Sequence, residues 1–417
     1  MAKYIIDGGR PLKGKINASG AKNAALPIMA ASILASGKVY LRNVPNISDV
    51  WVMIDLLRDM GAEVKFEPDG NLFMDTGNVK DKPASYELVR KIHASFDITG
   101  PLLARFRRAE VPLPGGCVIG TRAVDLHIMG FERLGIEVKL EHGILRAKAK
   151  EITGTKVYFS KTSVGATKNV MMAACLAKGE TIIENAACEP EVQDLANFLN
   201  KCGAKIKGHG TKDIVINGVD RLHGAEYSVV SDRIETGTYL FAVAKAGGDI
   251  LIEKANPQNL RAVLDVLARI GVDTKVTSDT IRLKSQKKFN SVDIITEPYP
   301  GFPTDLQPPL VAMLTTANGT SFIEETIFNG RFGYIDELRR MGADIIIRNR
   351  GAVIRGVKNL TGAPVEAYDL RAGGALVIAA LSANGTSEVY GIEYIERGYE
   401  EFERKISSLG GIIRRVS

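Results

Sequence analysis

The chain has 417 residues, of which 45% are hydrophobic and 24% charged, with a formal net charge of +6. This length exceeds what one hydrophobic core supports, so we expect two domains of roughly 200 residues each. The positive charge could suit nucleic acid, a membrane surface or small anions. The sequence contains no long block of Lys and Arg, and we interpret Arg105, Arg107 and Arg108 as a solvated helix end. We therefore predict no nucleic-acid partner.

The cysteines and the N-terminus exclude further classes. Cys117, Cys175, Cys188 and Cys202 form no CxxC pair, and none has a histidine at metal-ligand spacing. We predict no metal site. The first fifteen residues lack the apolar core of a secretion signal, and no apolar run reaches the roughly 18 residues that span a bilayer. We expect a cytoplasmic protein with free thiols and no membrane insertion.

One pattern repeats along the whole chain: an amphipathic stretch, then a glycine, then a short alternating strand. The glycines are Gly61, Gly135, Gly203, Gly271, Gly342 and Gly410, at intervals of 74, 68, 68, 71 and 68 residues. A glycine at this point fits the left-handed position that closes a helix. The residues after it alternate as in a strand. The chain therefore contains six copies of one α/β unit.

Most units also contain a second helix that carries almost no charge. In chain order these segments are AALPIMAASILASG, NVMMAACLAKG, TYLFAVAKAGG, PPLVAMLTTANG and ALVIAALSANG. Helices that are apolar on all sides are buried, so we predict strands packed outside buried helices, with three units in each domain. We place the crossing between domains near residues 228–236. The alternative is one continuous solenoid of six units.

Cations stand where helices begin, although a helix N-terminus favours anions. Lys22 and Arg371 open apolar helices, and Arg122, Arg331 and Arg397 precede amphipathic ones. Five cations at matching points of repeated units indicate bound anions, and we expect these positions to converge in space. Arginine pairs with carboxylate or phosphate through two hydrogen bonds, so the ligands are predicted to be small phosphorylated and carboxylated molecules.

A loop at residues 111–122 interrupts the repeat and surrounds Cys117 with three glycines and two prolines. It cannot be a regular helix or a central strand, and it is typical of a mobile lid. The thiol lies five residues before Arg122, and cationic neighbours lower a thiol pKa. We predict that Cys117 acts as a proton donor or nucleophile.

Several phrases resemble one family. They are SGAKNAALP, LPGGCVIGTRAVDLH, SVGAT, IIENAACEPEV, SDRIETGT, FPTDLQ, RFGYIDELRRMGA, DLRAGGALV and ERGYE, and they span the chain in order. The chain resembles the enolpyruvyl transferase family, in particular its UDP-N-acetylglucosamine 1-carboxyvinyltransferases. The resemblance implies two inside-out α/β domains of three repeats each, 22–229 and 1–21 plus 230–417. It also implies enolpyruvyl transfer from phosphoenolpyruvate to the 3-hydroxyl of UDP-N-acetylglucosamine, without cofactor or metal.

The same resemblance implies residue roles. Asp305 would take the proton of the sugar hydroxyl, and Cys117 would act as a general acid at the methylene carbon. Lys22, Arg122 and Arg397 would hold the phosphate of phosphoenolpyruvate. The residues implied around its carboxylate and the reacting groups are Arg331, Arg371 and Asn23. Those implied at the nucleotide sugar are His93, Arg122, Ala123, Val124, Asp125, Leu126, Lys161, Ser163, Val164, Gly165, Ile327 and Phe328.

Some positions depart from the family pattern. His93 stands where the family has Arg beside the diphosphate, and Asp97 stands where an apolar or aromatic residue is usual. We expect Asp97 to pair with His93 or a nearby Arg, or both residues to lie at a solvated rim. Asn329 and Gly330 replace a Glu-Asn pair, a change expected to alter only a turn.

Two other functions remain open. One is that of 5-enolpyruvylshikimate-3-phosphate synthase, which shares the fold but lacks the Cys117 loop and the nucleotide-facing phrases. The other is a non-catalytic paralogue that binds nucleotide sugar and regulates a partner, which His93 and Asp97 keep possible. Protein partners are not predicted.

Overall fold

The computed structural model describes residues 2–115, 124–328 and 330–417. Of the predicted site, Cys117, Arg122 and Ala123 lie outside the described residues. The described chain divides into two compact units, each with its own hydrophobic core. One unit contains residues 20–115 and 124–230, and the other contains residues 2–19 and 231–417. The chain passes between units at 19–20 and again at 230–231, within the predicted region 228–236.

The described residues form fourteen α-helices and twenty-five strands. The helices are α1 (Lys22–Ala31), α2 (Ser48–Asp59), α3 (Tyr86–Val89), α4 (Thr99–Phe106), α5 (Asp125–Arg133), α6 (Val164–Ala174), α7 (Pro190–Lys201), α8 (Arg233–Ala246), α9 (Arg261–Arg269), α10 (Gln307–Leu314), α11 (Ile335–Arg340), α12 (Leu370–Ser382), α13 (Ile392–Ile395) and α14 (Phe402–Ser408).

The strands are β1 (Lys3–Asp7), β2 (Leu12–Asn17), β3 (Ala35–Ser36), β4 (Lys38–Arg42), β5 (Glu63–Phe66), β6 (Leu72–Asp75), β7 (Arg108–Pro112), β8 (Glu137–Glu141), β9 (Ile144–Lys148), β10 (Lys156–Tyr158), β11 (Glu180–Glu184), β12 (Lys205–Lys207), β13 (Asp213–Asn217), β14 (Leu222–His223), β15 (Glu226–Ser228), β16 (Gly248–Glu253), β17 (Asp273–Val276), β18 (Ile281–Ser285), β19 (Ile294–Ile295), β20 (Thr320–Glu324), β21 (Asp344–Arg348), β22 (Gly351–Arg355), β23 (Pro364–Glu366), β24 (Thr386–Tyr390) and β25 (Ile412–Val416).

Each repeat contributes one sheet. In the unit of residues 20–230 the strand orders are β15-β4-β6-β5, β7-β9-β8 and β10-β11-β13-β12, with a small pair β14-β3. In the other unit they are β2-β16-β18-β17, β19-β20-β22-β21 and β23-β24-β1-β25. The N-terminal strand β1 pairs antiparallel with β24 and β25, with Ile6 opposite Ser387 and Ile413. The first strands of the chain therefore complete sheets whose other strands come from residues after 247.

The six repeat glycines all have left-handed backbone conformations, with φ between 81° at Gly135 and 104° at Gly61. Residues with a side chain rarely adopt this conformation, which is why glycine recurs at the point where each amphipathic helix ends. The predicted repeat is confirmed by this shared geometry.

Three helices fill the centre of each unit, α1, α4 and α6 in one and α8, α10 and α12 in the other. Sheets cover them, and the predicted class of two inside-out α/β domains is confirmed. The alternative of a continuous solenoid is wrong, because each unit closes around its own core. Within the described part of the chain, none of the helices combines the length and apolar character needed to cross a bilayer.

Helix α4 was not among the predicted apolar helices, because Gly100, Pro101 and Arg105 interrupt its apolar pattern. Gly100 is required where the helix meets α6: an added Cβ would lie 2.4 Å from the Asn169 carbonyl oxygen. Arg105 donates to the carbonyl oxygens of Ile33 and Thr76 at 2.9 and 2.8 Å. The charged residue therefore satisfies buried backbone acceptors instead of marking a surface.

Lys245 of α8 is a buried lysine that contacts no carboxylate within the described residues. Its Nζ donates to the Thr315 and Thr316 hydroxyls at 2.8 and 3.1 Å, and burial lowers the pKa of Lys245 to about 7. An unfolded lysine keeps its proton to a pH of about 10.4. Between these values the unfolded state binds more protons, so the contribution of Lys245 to the free energy of unfolding increases with pH.

We expect the free energy of unfolding of Lys245→Met to exceed that of the wild type most at pH 7 and below, where the folded wild type holds a buried ammonium group. The advantage should shrink by at most about 1.4 kcal/mol per pH unit between pH 7 and 9. Urea unfolding of both proteins at pH 6, 7, 8 and 9 measures it. Lys287→Met, at an exposed position, is the control. A difference that does not change with pH contradicts the expectation.

Candidate active site

Asp305 lies between two arginines in the unit of residues 231–417. It stands in the 3₁₀ turn Thr304–Leu306, directly before α10. Its Oδ1 accepts from Arg331 Nη2 at 2.9 Å, and its Oδ2 accepts from Arg371 Nη2 and Nε at 3.1 and 3.2 Å. Two guanidinium groups thus fix both oxygens of one carboxylate.

The three side chains differ in their exposure to solvent. The side chains of Arg331 and Arg371 are 2% and 4% exposed, whereas that of Asp305 is 25% exposed. Burial lowers the pKa of Arg371, but the charge of Asp305 and a hydrogen bond with Tyr399 outweigh burial, so the pKa of Arg371 is raised. Arg371 therefore remains charged beside a carboxylate that a ligand can reach.

Neighbouring groups hold each arginine in place. Asp369 caps α12 by accepting from the backbone N–H of Arg371 at 2.8 Å, which places Arg371 in the first turn. Arg331 Nη1 donates to Thr304 Oγ1 at 2.8 Å, and its guanidinium lies 5.4 Å from the centre of the Phe328 ring. Arg331 Nε is buried and has no hydrogen-bond partner within the described residues. That N–H is a donor available to an anion.

Glu325 organises the turn that contains Ile327 and Phe328. Its carboxylate is 1% exposed and accepts from the backbone N–H groups of Ile327 and Phe328 at 2.8 and 3.0 Å. It also accepts from Thr304 Oγ1 at 2.8 Å, next to Asp305. Glu325 and Thr304 were not predicted for the site. A second carboxylate directly after strand β20, which itself ends at Glu324, is the signal that could have identified Glu325.

In the unit of residues 20–230, Lys22 is the first residue of α1 and pairs with a buried carboxylate. Its Nζ lies 2.5 Å from Oδ2 of Asp49, whose side chain is 4% exposed. Asp49 stands in the first turn of α2 and was not predicted, because α2 was interpreted only as an amphipathic surface helix. The neighbouring Asn23 is exposed. The carboxylate of Asp49 fixes the ammonium group of Lys22 at the start of α1.

Most of the residues predicted to bind the nucleotide lie where α5 and α6 begin. Asp125 is the first residue of α5, preceded by Val124 and followed by the buried Leu126. Ser163 caps α6, and its Oγ accepts from the backbone N–H of Ala166 at 3.3 Å. The remaining predicted residues near α6 are Val164 and Gly165 in its first turn and the exposed Lys161. Two helix N-termini of one unit thus carry these side chains.

Comparison with known proteins identifies the family. The family model described as EPSP synthase (3-phosphoshikimate 1-carboxyvinyltransferase) matches residues 6–406. The UDP-N-acetylglucosamine 1-carboxyvinyltransferase 1 of Caldanaerobacter subterraneus subsp. tengcongensis is 49% identical over 99% of both chains. The UDP-N-acetylglucosamine 1-carboxyvinyltransferase of Clostridium botulinum is 48% identical over 100% of both. The chain belongs to this family of carboxyvinyltransferases.

A solved relative shares the fold. The enolpyruvyl transferase NikO from Streptomyces tendae superimposes with a TM-score of 0.91 over 100% of this chain and 99% of its own, at 24% identity. This likeness shows that the chain has the same fold as that enolpyruvyl transferase.

Asp97 departs from both expectations for this carboxyvinyltransferase. It is 5% exposed, so it does not lie at a solvated rim, and its Oδ2 accepts from Lys168 Nζ at 2.7 Å. Within the described residues its ion pair is with Lys168 and not with an arginine or His93, because the turn His93–Ile98 directs Asp97 toward α6. His93 is partly exposed. The charge of Asp97 is therefore compensated inside the unit.

Within the unit of residues 231–417, the structure brings three of the predicted residues together. Asp305, Arg331 and Arg371 form one cluster, and the turn with Ile327 and Phe328 is tied to it through Glu325. Arg397 lies after α13 and is partly exposed.

Proposed function

We propose that this carboxyvinyltransferase moves the enolpyruvyl group of phosphoenolpyruvate to the 3-hydroxyl of UDP-N-acetylglucosamine and releases phosphate. The observation that carries the proposal is full-length identity of 48–49% to proteins that bear this name. The accessible carboxylate of Asp305, held by two buried arginines, supports it. The family model alone does not distinguish UDP-N-acetylglucosamine from shikimate 3-phosphate as the substrate. The sequence identity to the named relatives favours UDP-N-acetylglucosamine.

The reaction requires one base and one acid. A bond forms between the sugar 3-oxygen and C2 of phosphoenolpyruvate while the hydroxyl proton moves to Asp305 and a proton from Cys117 adds to the methylene carbon. The C2–phosphate oxygen bond then breaks, phosphate leaves with the bonding electrons, and a proton of the new methyl group returns to the Cys117 thiolate. Asp305 suits the first transfer because it is the partly exposed member of its cluster.

Cations stabilise the negative charge around the reacting carbon. Arg331 and Arg371 are assigned to the carboxylate of phosphoenolpyruvate, and Lys22, Arg122 and Arg397 to its phosphate. Two observations support the first assignment: Nε of Arg331 has no hydrogen-bond partner in the described part of the chain, and the guanidinium of Arg371 is fixed by Asp305. Preorganised cations stabilise a charged intermediate without reorganising during the reaction. The assignment needs no metal and no cofactor.

The product is a precursor of peptidoglycan. This role places the enzyme in the cytoplasm, with phosphoenolpyruvate and UDP-N-acetylglucosamine as its small-molecule partners, and connects its activity to cell-wall synthesis, cell shape, the cell cycle and division.

Phosphate release tests the proposal. We expect turnover only when UDP-N-acetylglucosamine and phosphoenolpyruvate are both present, and none with shikimate 3-phosphate in place of the nucleotide sugar. Turnover with shikimate 3-phosphate would favour the synthase alternative. Tight binding of nucleotide sugar without turnover would favour a regulatory protein.

The role of Cys117 gives a second arm to this test. An epoxide phosphonate of the fosfomycin type should stop phosphate release and add its mass to the protein in the presence of nucleotide sugar, since a thiolate opens the epoxide. Cys117→Asp keeps an acid in place and should retain turnover while resisting the reagent. Cys188→Ser, which removes a partly exposed thiol, is the control and should remain sensitive. Inactivation of Cys117→Asp would assign the target to another residue.

A further inference from the structure

The buried carboxylate of Glu325 accepts four hydrogen bonds, and no step of the proposed reaction uses it. Its Oε1 accepts from Thr296 Oγ1 at 3.0 Å and from the backbone N–H groups of Ile327 and Phe328 at 2.8 and 3.0 Å. Its Oε2 accepts from Thr304 Oγ1 at 2.8 Å. Because Glu325 is 1% exposed, water hardly competes for these bonds, and they fix the groups that donate them.

The two threonine hydroxyls have one hydrogen each, and their other partners show where it points. Arg331 Nη1 donates to Thr304 Oγ1 at 2.8 Å, and a guanidinium group can only donate. The backbone N–H of Thr326 likewise donates to Thr296 Oγ1 at 3.0 Å. Both hydroxyls therefore direct their hydrogen to Glu325, whose carboxylate is the acceptor in all four bonds.

Thr304 connects this carboxylate to the proposed base. Arg331, held at Nη1 by Thr304, donates through Nη2 to Asp305 Oδ1 at 2.9 Å. A chain of hydrogen bonds thus runs from Glu325 through a hydroxyl and a guanidinium group to Asp305, with 2.8, 2.8 and 2.9 Å at its three steps. Arg371 holds the other oxygen of Asp305, so this chain orients the Oδ1 side.

Glu325 also fixes the turn that follows it. The N–H groups of Ile327 and Phe328 point to its Oε1, and the ring of Phe328 lies 5.4 Å from the guanidinium group of Arg331. The family resemblance implies that Ile327 and Phe328 contact the nucleotide sugar. One buried carboxylate therefore holds both the base and a turn expected to contact the substrate.

We propose that Glu325 is a positioning residue for the transfer reaction, which holds Arg331 through Thr304 and so directs the carboxylate of Asp305 toward the sugar hydroxyl. The proposal rests on the proposed function, because it adds a residue to that reaction. Glu325 acts through Thr304 and Arg331 and does not touch the substrate. A small displacement of a catalytic group lowers the rate, so breaking this chain should reduce kcat.

The substitution Glu325→Gln breaks the chain but keeps the turn. Three donors face Oε1, so the amide oxygen takes that place and the NH2 group faces Thr304, whose hydrogen loses its acceptor. The N–H groups of Ile327 and Phe328 keep theirs. We expect kcat to fall roughly 10-fold, with the KM for UDP-N-acetylglucosamine within about twofold of the wild type.

Two threonines that donate to Glu325 give matched variants. Thr304→Val removes the hydroxyl that also contacts Arg331, so it should lower kcat as Glu325→Gln does. Combining the two should cost little more than either alone, because both break the same chain. Thr296→Val removes the hydroxyl that contacts the backbone N–H of Thr326 but not Arg331. It should raise the KM for UDP-N-acetylglucosamine, with kcat within about twofold of the wild type.

Steady-state phosphate release, with each substrate varied in turn, measures kcat and KM for every variant. Glu324→Gln, at the partly exposed carboxylate that precedes Glu325, should behave as the wild type. Urea unfolding shows whether each variant is folded. If Glu325→Gln does not fold, Thr304→Val tests the same chain at a partly exposed position.

Four results overturn the inference: wild-type kcat in a folded Glu325→Gln or Thr304→Val, equal loss of kcat in Thr304→Val and Thr296→Val, additive losses when Glu325→Gln and Thr304→Val are combined, or failure of both these variants to fold. The last result would give Glu325 a structural role only. Absence of phosphate release from the wild type would overturn the proposed function and this inference with it. Wild-type turnover that Glu325→Gln retains in full would overturn this inference alone.

Discussion

Asp305→Asn is expected to lower the turnover of phosphate release by roughly 10²- to 10⁴-fold, the usual contribution of a general base. The amide keeps the shape of the carboxylate but cannot accept the proton of the sugar hydroxyl. Steady-state phosphate release measures the effect. UDP affinity should remain close to that of the wild type, because Asp305 is not assigned to the nucleotide.

The same substitution should also lower stability, because Arg331 and Arg371 lose their shared anion while remaining buried. Breaking a buried ion pair typically costs about 3–5 kcal/mol, and the partial exposure of Asp305 places its value at the lower end. Asp336→Asn is the matched control, because it removes an exposed carboxylate paired with Arg339. Turnover of Asp305→Asn within tenfold of the wild type would rule out a base at this position.

Asp97→Leu is expected to destabilise the unit of residues 20–230 by about 3–5 kcal/mol, because it leaves the ammonium group of Lys168 buried without its anion. Combining it with Lys168→Met removes both charges. That double variant should return to the wild-type free energy of unfolding or exceed it by about 1–4 kcal/mol. Urea unfolding of the single and double variants measures the coupling between the two residues.

The control for this pair is Asp265→Leu, which removes an exposed carboxylate paired with Arg269 and should change stability far less. Equal stability of the single and double variants would contradict a buried ion pair.

The repeat shows how far local patterns predict this fold. The six glycines could be identified because a helix end that reverses through the left-handed region selects glycine wherever it occurs. Five of the six central helices could be identified because they lack charge. The sixth, α4, could not, because Arg105 and Gly100 are explained only by backbone groups of distant segments.

The sequence predicted which cations belong to the site, but not which carboxylates pair with them. A cation at a helix start suggested an anion nearby, and Asp305, Arg331 and Arg371 do form one cluster. The internal carboxylates that fix these cations gave weaker signals. Asp49 belongs to an amphipathic stretch and Glu325 to the end of a strand, so each resembles an ordinary surface residue until its neighbours are known.

By itself the sequence determined the six-unit repeat, the apolar helices and the family, because these depend on residue spacing and on phrases that are continuous in the chain. The tertiary structure decided which charges meet. Asp97 and Lys168 are 71 residues apart, and Asp305 and Arg371 are 66 apart. Such pairs depend on how helices pack around a core, and no local pattern specifies the free energy of a contact between segments so distant in sequence.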